Sequence, residues 1–229
     1  MNTAKISPIH ELAKQKHAHF TGWHGWQVVN SYADAAAETA VFSTHTALCD
    51  QSHNGKIRIE GQAAGAMLDA NELAIGTGKA VEYGRIYRLR RDLFFVTTEA
   101  GAVADVAGSL TDQAAAGADL ITVTDVTQGN AELWLIGPNS AELLSRLCGL
   151  DFHDSQFPNG AATQSSVAKT TQLIIRRDLD DVPAYALIGG RSLAAYLWQT
   201  IMAAGQDLGI QPIGLAALRP LTATDQPKE

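Results

Sequence analysis

The sequence predicts an α+β fold with an internal pseudo-repeat, and three observations carry the prediction. Pairs of short alternating strands followed by helices recur on either side of about Thr127. Gly61-Gln62-Ala63-Ala64 and Gly137-Pro138-Asn139-Ser140 occupy equivalent places, each after an alternating strand and before a helix. The order of elements also departs from the strict β-α-β rhythm of a doubly wound sheet. No composition shift marks a linker. Residues 1–221 are therefore expected to form one domain with halves at about 7–126 and 127–219, followed by a disordered tail at 222–229.

Ser7-Pro8-Ile9-His10-Glu11 sets a serine N-cap, a proline at the first helical position and a glutamate in the first turn. A helix begins there and ends before Gly22. Ala33 to Ser43 is alanine-rich, with Ala36, Ala40 and Val41 on one stripe, and suits a helix lying close on a sheet. Leu48 to Gln51 and Lys56 to Glu60 read as strands. The second alternates charged and apolar residues with period two, predicting one buried face and one wet face. Gln62 to Asn71 reads as a helix of small residues. After a turn at Gly76 to Gly78, Val81 to Arg90 and Leu93 to Thr98 form a hairpin closed by Arg90-Arg91-Asp92. Val103, Val106 and Leu110 recur at helical spacing, and Leu120 to Val126 and Ala131 to Ile136 are a second pair of strands. In Gly137-Pro138-Asn139-Ser140-Ala141-Glu142, Asn139 is placed to cap a helix and Glu142 to reach back as a capping box. Phe157 to Ala162 is a loop, Val167 to Arg177 and Ala184 to Ile188 are strands, and Ser192 to Ala203 is a helix with Leu193, Leu197 and Ile201 inward.

Composition narrows the class of partner. Hydrophobic residues make up 46% of the 229, enough for a sizeable core. Against 17 basic residues stand 24 acidic ones, a net charge of −7 that leaves no basic field for nucleic acid or anionic lipid. Neither partner is expected. The longest apolar runs, such as Leu133-Trp134-Leu135-Ile136, fall far short of the ~20 residues of a membrane helix. No apolar signal core follows Met1-Asn2-Thr3-Ala4-Lys5, so a cytoplasmic location is expected. Cys49 and Cys148 cannot build a disulfide framework, which suits a reducing compartment.

Candidate chemistry is sparse. Gly22 to Gly25 and Gly76-Thr77-Gly78-Lys79 lack the spacing of a phosphate loop. His17, His19 and His24 cluster in sequence, but no His-x-x-x-His accompanies them, and no metal is expected. His45 and His53 flank Cys49, the arrangement of a Cys-His nucleophile pair. The apolar strand start Ala47-Leu48-Cys49-Asp50 favours a buried, inert thiol instead.

Gly22-Trp23-His24-Gly25-Trp26 is continued after a helix by Val41-Phe42-Ser43-Thr44-His45-Thr46-Ala47-Leu48-Cys49-Asp50-Gln51-Ser52-His53 and then by Lys56-Ile57-Arg58-Ile59-Glu60-Gly61. In order, spacing and residue type this resembles the folate-binding domain of the glycine-cleavage T-protein, the aminomethyltransferase family. Leu135-Ile136-Gly137-Pro138-Asn139-Ser140 looks like that family's central Gly-Pro-Asn turn. Phe157-Pro158-Asn159-Gly160 through Ala195-Tyr196-Leu197-Trp198 is similar to the γ subunit of heterotetrameric sarcosine oxidase, of the same superfamily. The resemblance covers about residues 7–219 and implies two interlocked β-α-β subdomains sharing a mixed sheet around a folate channel. It also implies that the family's C-terminal β-barrel is lacking.

In the family a carboxylate after an asparagine at a helix end polarises N5 of tetrahydrofolate. Asn71-Glu72 stands at the matching place, one methylene longer, and the resemblance assigns Glu72 the catalytic role with Asn71, Tyr83 and Trp26 around the pterin. A lone carboxylate at a helix end also reads as a solvated surface residue, and Tyr83 as an ordinary strand aromatic. The family's Asn-x-x-Gly-Gly loop is replaced by Arg90-Arg91-Asp92. Its Gly-Tyr-x-Gly-Glu segment is replaced by Arg177 to Pro183, where Asp180 or Asp181 substitutes for the pterin-gripping glutamate only with a shift of register. Leu218 stands at a family arginine.

Two functions follow as expectations. One is a tetrahydrofolate-binding protein of one-carbon metabolism, aminomethyltransferase-like. The other is a noncatalytic γ-like subunit of a sarcosine oxidase or demethylase-type complex, its folate site degenerate and its partner a larger flavoprotein or one-carbon-donor protein. The Lys-Gly-Cys-x-x-Gly-Gln-Glu signature of the repair and iron–sulfur assembly branch is absent.

Overall fold

The computed structural model describes residues 4–222. The chain opens with Lys5–Ile6 (β1), His10–Gln15 (α1), His19–Trp23 (β2), Trp26–Ser31 (β3), Ala35–Thr44 (α2), Ala47–Asp50 (β4) and Gly55–Glu60 (β5). Ala64–Met67 (α3), Thr77–Val81 (β6), Gly84–Arg90 (β7), Leu93–Thr98 (β8), Val103–Ala116 (α4) and Thr122–Asp125 (β9) follow. Then come Asn130–Ile136 (β10), Ser140–Leu147 (α5), Ala162–Val167 (β11), Thr170–Arg176 (β12), Ala184–Gly190 (β13), Ala194–Ala204 (α6), Gln211–Ile213 (β14) and Leu215–Thr222 (α7).

These strands make a three-stranded sheet ordered β1-β3-β2, a five-stranded sheet ordered β6-β7-β8-β5-β9 and a six-stranded sheet ordered β11-β12-β13-β10-β4-β14. The five-stranded sheet is antiparallel throughout. In the six-stranded sheet only β14 runs parallel to its neighbour, β4. β4 comes from the first half of the chain, yet lies between β10 and β14 of the second. That strand interlocks the halves and gives the α+β architecture with a shared mixed sheet. No barrel closes among the described residues.

Side-chain alternation sorts the sheets into layers. Leu133, Leu135, Ile174 and Leu187 leave one face of the six-stranded sheet to meet Leu143 and Leu144 of α5 and Leu197, Trp198 and Ile201 of α6. Trp134, Ile136, Leu173, Ile175, Ala186 and Ile188 leave the other face and meet Tyr87 and Phe95 of the five-stranded sheet. The far face of that second sheet packs Ile57, Ile59, Ile86, Phe94 and Val96 under α3 and α4. The order is helices, sheet, sheet, helices. A backbone seam ties the two sheets, with Gly78 N donating to Gly160 O at 2.9 Å and Ala162 N to Gly76 O at 2.8 Å.

This layering corrects the reading of β5. Ile57 and Ile59 face the helices, but the alternate face is not simply wet, because the six-stranded sheet covers its start and Lys56 is 0% exposed. Other local differences have local causes. Trp23-His24-Gly25-Trp26 is a hairpin turn, with His24 and Gly25 left-handed at φ 45° and 77° and Trp23 opposite Trp26. Residues 162–176 form a hairpin rather than one strand, turned by Ala168 and Lys169 at φ 50° and 63°. The Gln62 to Asn71 helix shrinks to α3. Helix α1 starts at His10, while the Ser7 hydroxyl accepts from Ile9 N at 3.2 Å one turn earlier. Helix α5 begins where expected, but Asn139 makes no side-chain cap and Glu142 pairs instead with Arg146 at 2.7 Å. Leu193 lies in a short 3₁₀ turn before α6 and is exposed rather than inward. Gly137 is required: its φ is +124°, and a Cβ there would stand 2.1 Å from the His45 carbonyl oxygen. Of the expected tail, residues 223–229 lie outside the described residues.

Candidate functional site

Asn71 and Glu72 follow α3 in an exposed turn. The turn is held by its backbone: Arg88 Nη1 donates to the carbonyls of Asn71 at 2.7 Å and Leu73 at 2.9 Å, with its guanidinium over Phe94. Tyr83 sits in the tight turn between β6 and β7, not on a strand, half-buried against the core under α3 and α4, which raises the pKa of its phenol. Thr77 pairs with Arg88 and Val81 with Gly84. Glu72 and Tyr83 therefore adjoin opposite ends of this hairpin, roughly 13 Å of strand apart at ~3.3 Å per residue. Trp26 is buried in a separate cluster with Val28 and Leu215. Asp181 is exposed at the tip of the β12–β13 connection, whose neck closes through paired Leu179 and Val182 backbone bonds of 2.9 Å. Asn71 and Glu72 share one turn, whereas Tyr83, Trp26 and Asp181 lie on three other segments of the fold.

The polar centre of the molecule lies elsewhere, between the sheets. Lys56 Nζ meets Glu132 Oε2 at 2.9 Å and donates to the carbonyls of Asn54 at 2.7 Å and Ser52 at 3.3 Å. Glu132 Oε1 accepts from the Trp134 indole at 2.6 Å, and Glu132 N donates to Ser52 Oγ at 3.1 Å. The Arg177 guanidinium lies 5.5 Å from the Trp134 ring centre. Tyr87 beside it is buried; burial raises its phenol, while Arg85 and Arg177 oppose the shift. Half-buried Arg85 has an Nε with no acceptor among the described residues. The sequence did hold a signal for half of this centre: Glu132 is the single charge of β10, between Ala131 and Leu133, whereas Lys56 shares β5 with Arg58 and Glu60.

His53 belongs to the same region and is buried. Burial pushes its imidazole down to about 4; Asp50 and Glu132 oppose the shift, and Lys56 and His24 add to it. The folded state therefore prefers neutral His53, whereas the unfolded chain takes up a proton near pH 6.5. This contribution should be complete above about pH 6.5 and lost as pH falls toward about 4, on the order of 3 kcal/mol in all. Urea midpoints of the native protein and His53→Gln across this window should converge as pH falls; a constant gap would refute the assignment. Cys49 is no nucleophile: burial raises its thiol to about 12, and Gln51 Nε2 donates to its sulfur at 3.1 Å. Among the described residues, no group of three or more His, Cys, Asp or Glu side chains is placed to hold a metal ion.

Two sheets packed face to face, interlocked through β4 and flanked by helices, define an α+β domain of the aminomethyltransferase type. Residues 72–224 match the GCVT N-terminal domain family, and the chain belongs to that family. It is 27% identical to an aminomethyltransferase of Saccharopolyspora erythraea, covering 94% of this chain and 62% of that protein. It is 28% identical to one of Corynebacterium aurimucosum, covering 92% and 61%. The chain thus spans about three-fifths of the length of these relatives. The fold matches the glycine cleavage system aminomethyltransferase T of Bartonella henselae with a TM-score of 0.79, at 22% identity over 93% of this chain and 60% of that one. It also matches a chain of heterotetrameric sarcosine oxidase from Corynebacterium sp. U-96 with a TM-score of 0.65, at 18% identity over 88% and 95%.

Proposed function

We propose that this aminomethyltransferase-like chain works as a noncatalytic, γ-like subunit of a sarcosine oxidase or demethylase-type complex of one-carbon metabolism. Its partner would be a larger flavoprotein or one-carbon-donor subunit. The observation that carries this reading is the filled space between the sheets. Tyr87, Phe95, Trp134, Leu173, Ile175, Ala186 and Ile188 each keep 7% exposure or less, where a channel wide enough for a pterin would leave its lining wet. Solvated Glu72 adds support, since proton traffic on a pterin nitrogen calls for a carboxylate desolvated beside its ligand.

The second reading is tetrahydrofolate binding, with Glu72 near N5 and Asn71, Tyr83, Trp26 and Asp181 about the pterin. Arg85 favours it: an Nε without an acceptor beside Tyr87, close to Arg177 on Trp134, suits a flat anion. Calorimetric titration of the purified chain with tetrahydrofolate separates the two. No saturable heat up to millimolar ligand is expected. Micromolar binding that weakens at least tenfold in Arg85→Ala and Glu72→Gln would replace the first reading by the second.

A further inference from the structure

Helix α6 buries Ala194, Leu197, Trp198 and Ile201 against the six-stranded sheet. Its opposite side is unpartnered at helical spacing. Ser192, Ala195, Gln199, Met202 and Gln206 follow one another at intervals of three and four, with Ser192, Gln199 and Gln206 exposed and Ala195 and Met202 half-buried. Two grooves succeed one another along this side. One, of about 550 Å³, lies between Pro8 and the start of α6; the other, of about 470 Å³, lies between α1 and the rest of α6. Together they make a trough between the N-terminal segment and α6, about 24 Å long for sixteen residues at ~1.5 Å each. Ile6 of β1 and, next to Ser192 and Ala195 in sequence, Leu193 and Tyr196 are exposed by 44%, 44% and 47%. Arg191 joins the trough to β1, its Nη2 donating to the Ile6 carbonyl at 2.6 Å.

The charge along the trough is one-sided. The ionisable residues that line it are Lys16 and Arg191, both cations, in a protein of net charge −7. An apolar strip of small and flexible residues with a cation at each end, Arg191 and Lys16, is what an amphipathic helix with acidic flanks would meet.

We infer that the trough along α6 docks an acidic amphipathic helix of the partner subunit. This rests on the γ-like reading and adds the surface through which the partner is held. The partner helix lays its apolar face on Ala195 and Met202, and its carboxylates reach Lys16 and Arg191.

The test uses the full chain in its native host, with photoreactive benzoylphenylalanine at Gln199 and, as control, at Gln113 on α4 across the molecule. Native-size chromatography comes first. Migration of the chain alone would overturn both the γ-like reading and this surface. Given a complex, irradiation should crosslink position 199 to a segment with acidic residues around an apolar helical stripe, and position 113 to little. A complex that crosslinks only from position 113, or a crosslink from 199 to a second copy or to a basic segment, would leave the reading standing and overturn the trough. Lys16→Glu and Arg191→Glu should each lower the yield from position 199 at least tenfold with the melting temperature of Lys16→Glu unchanged. An unaltered yield in both would overturn the charge argument and the proposal with it.

Discussion

Glu132→Ala should be among the most damaging single substitutions in this protein, lowering its stability by about 3–5 kcal/mol. In the native state Glu132 is the anion that meets Lys56 at 2.9 Å, and both side chains are 3% exposed or less. Without it the ammonium keeps only the carbonyls of Asn54 and Ser52, and a charge left in low dielectric is costly. At roughly 2–4 °C per kcal/mol for a chain of this size, the melting temperature should fall by roughly 6–20 °C. Lys56→Met together with Glu132→Leu should recover most of the loss, because a well-packed apolar pair often matches a buried ion pair. Melting curves of the single and double variants check both statements. A loss below about 1 kcal/mol in Glu132→Ala would mean that water reaches the seam between the sheets.

Glu38→Ala should cost about 3–6 kcal/mol, since it strips the acceptor from three backbone donors at about 1–2 kcal/mol each, within the usual range for an unsatisfied buried group. The Glu38 carboxylate is buried in helix α2 and receives Tyr32 N at 2.5 Å, Ala33 N at 2.7 Å and Gly214 N at 2.7 Å. It thereby fastens the end of β3 to the turn between β14 and α7, where Leu215 packs on Trp26. Glu38→Gln should lose less than Glu38→Ala, because one oxygen remains to accept. Hydrogen exchange should accelerate most at residues 32, 33 and 214; uniform acceleration across the chain would point to a general loss of packing instead.

Much of the fold was legible in the sequence because local chemistry decides it. Val103, Val106 and Leu110 mark α4, the alternation through Ile57 and Ile59 marks β5, and Gly137-Pro138-Asn139 marks the turn into α5. What escaped was set by partners distant in sequence or by turns with unusual residues. Ala168 and Lys169 carry no glycine or asparagine signal, yet adopt the left-handed turn because the strands on either side pair. Lys56 looked like a surface residue because its burial depends on a second sheet arriving from beyond residue 130. The candidate site was hardest to read. Glu72 and Tyr83 are eleven positions apart and looked like neighbours, whereas the β6–β7 hairpin holds them at its two ends. A motif gives residue types in order, but their convergence depends on how the sheets dock.

The place of β4 has a consequence for how the protein is made. This strand leaves the ribosome early, yet its two neighbours in the sheet, β10 and β14, are synthesised far later, and the last of them spans Gln211–Ile213. Until then a nascent chain carries an open strand edge at Ala47 to Cys49, the kind of edge on which chains aggregate. Completion of this sheet must wait until Gln211–Ile213 has been made, and the long loop closures involved favour slow assembly. A premature stop before Gln211 would therefore yield a chain for chaperones and proteases, not a smaller working protein.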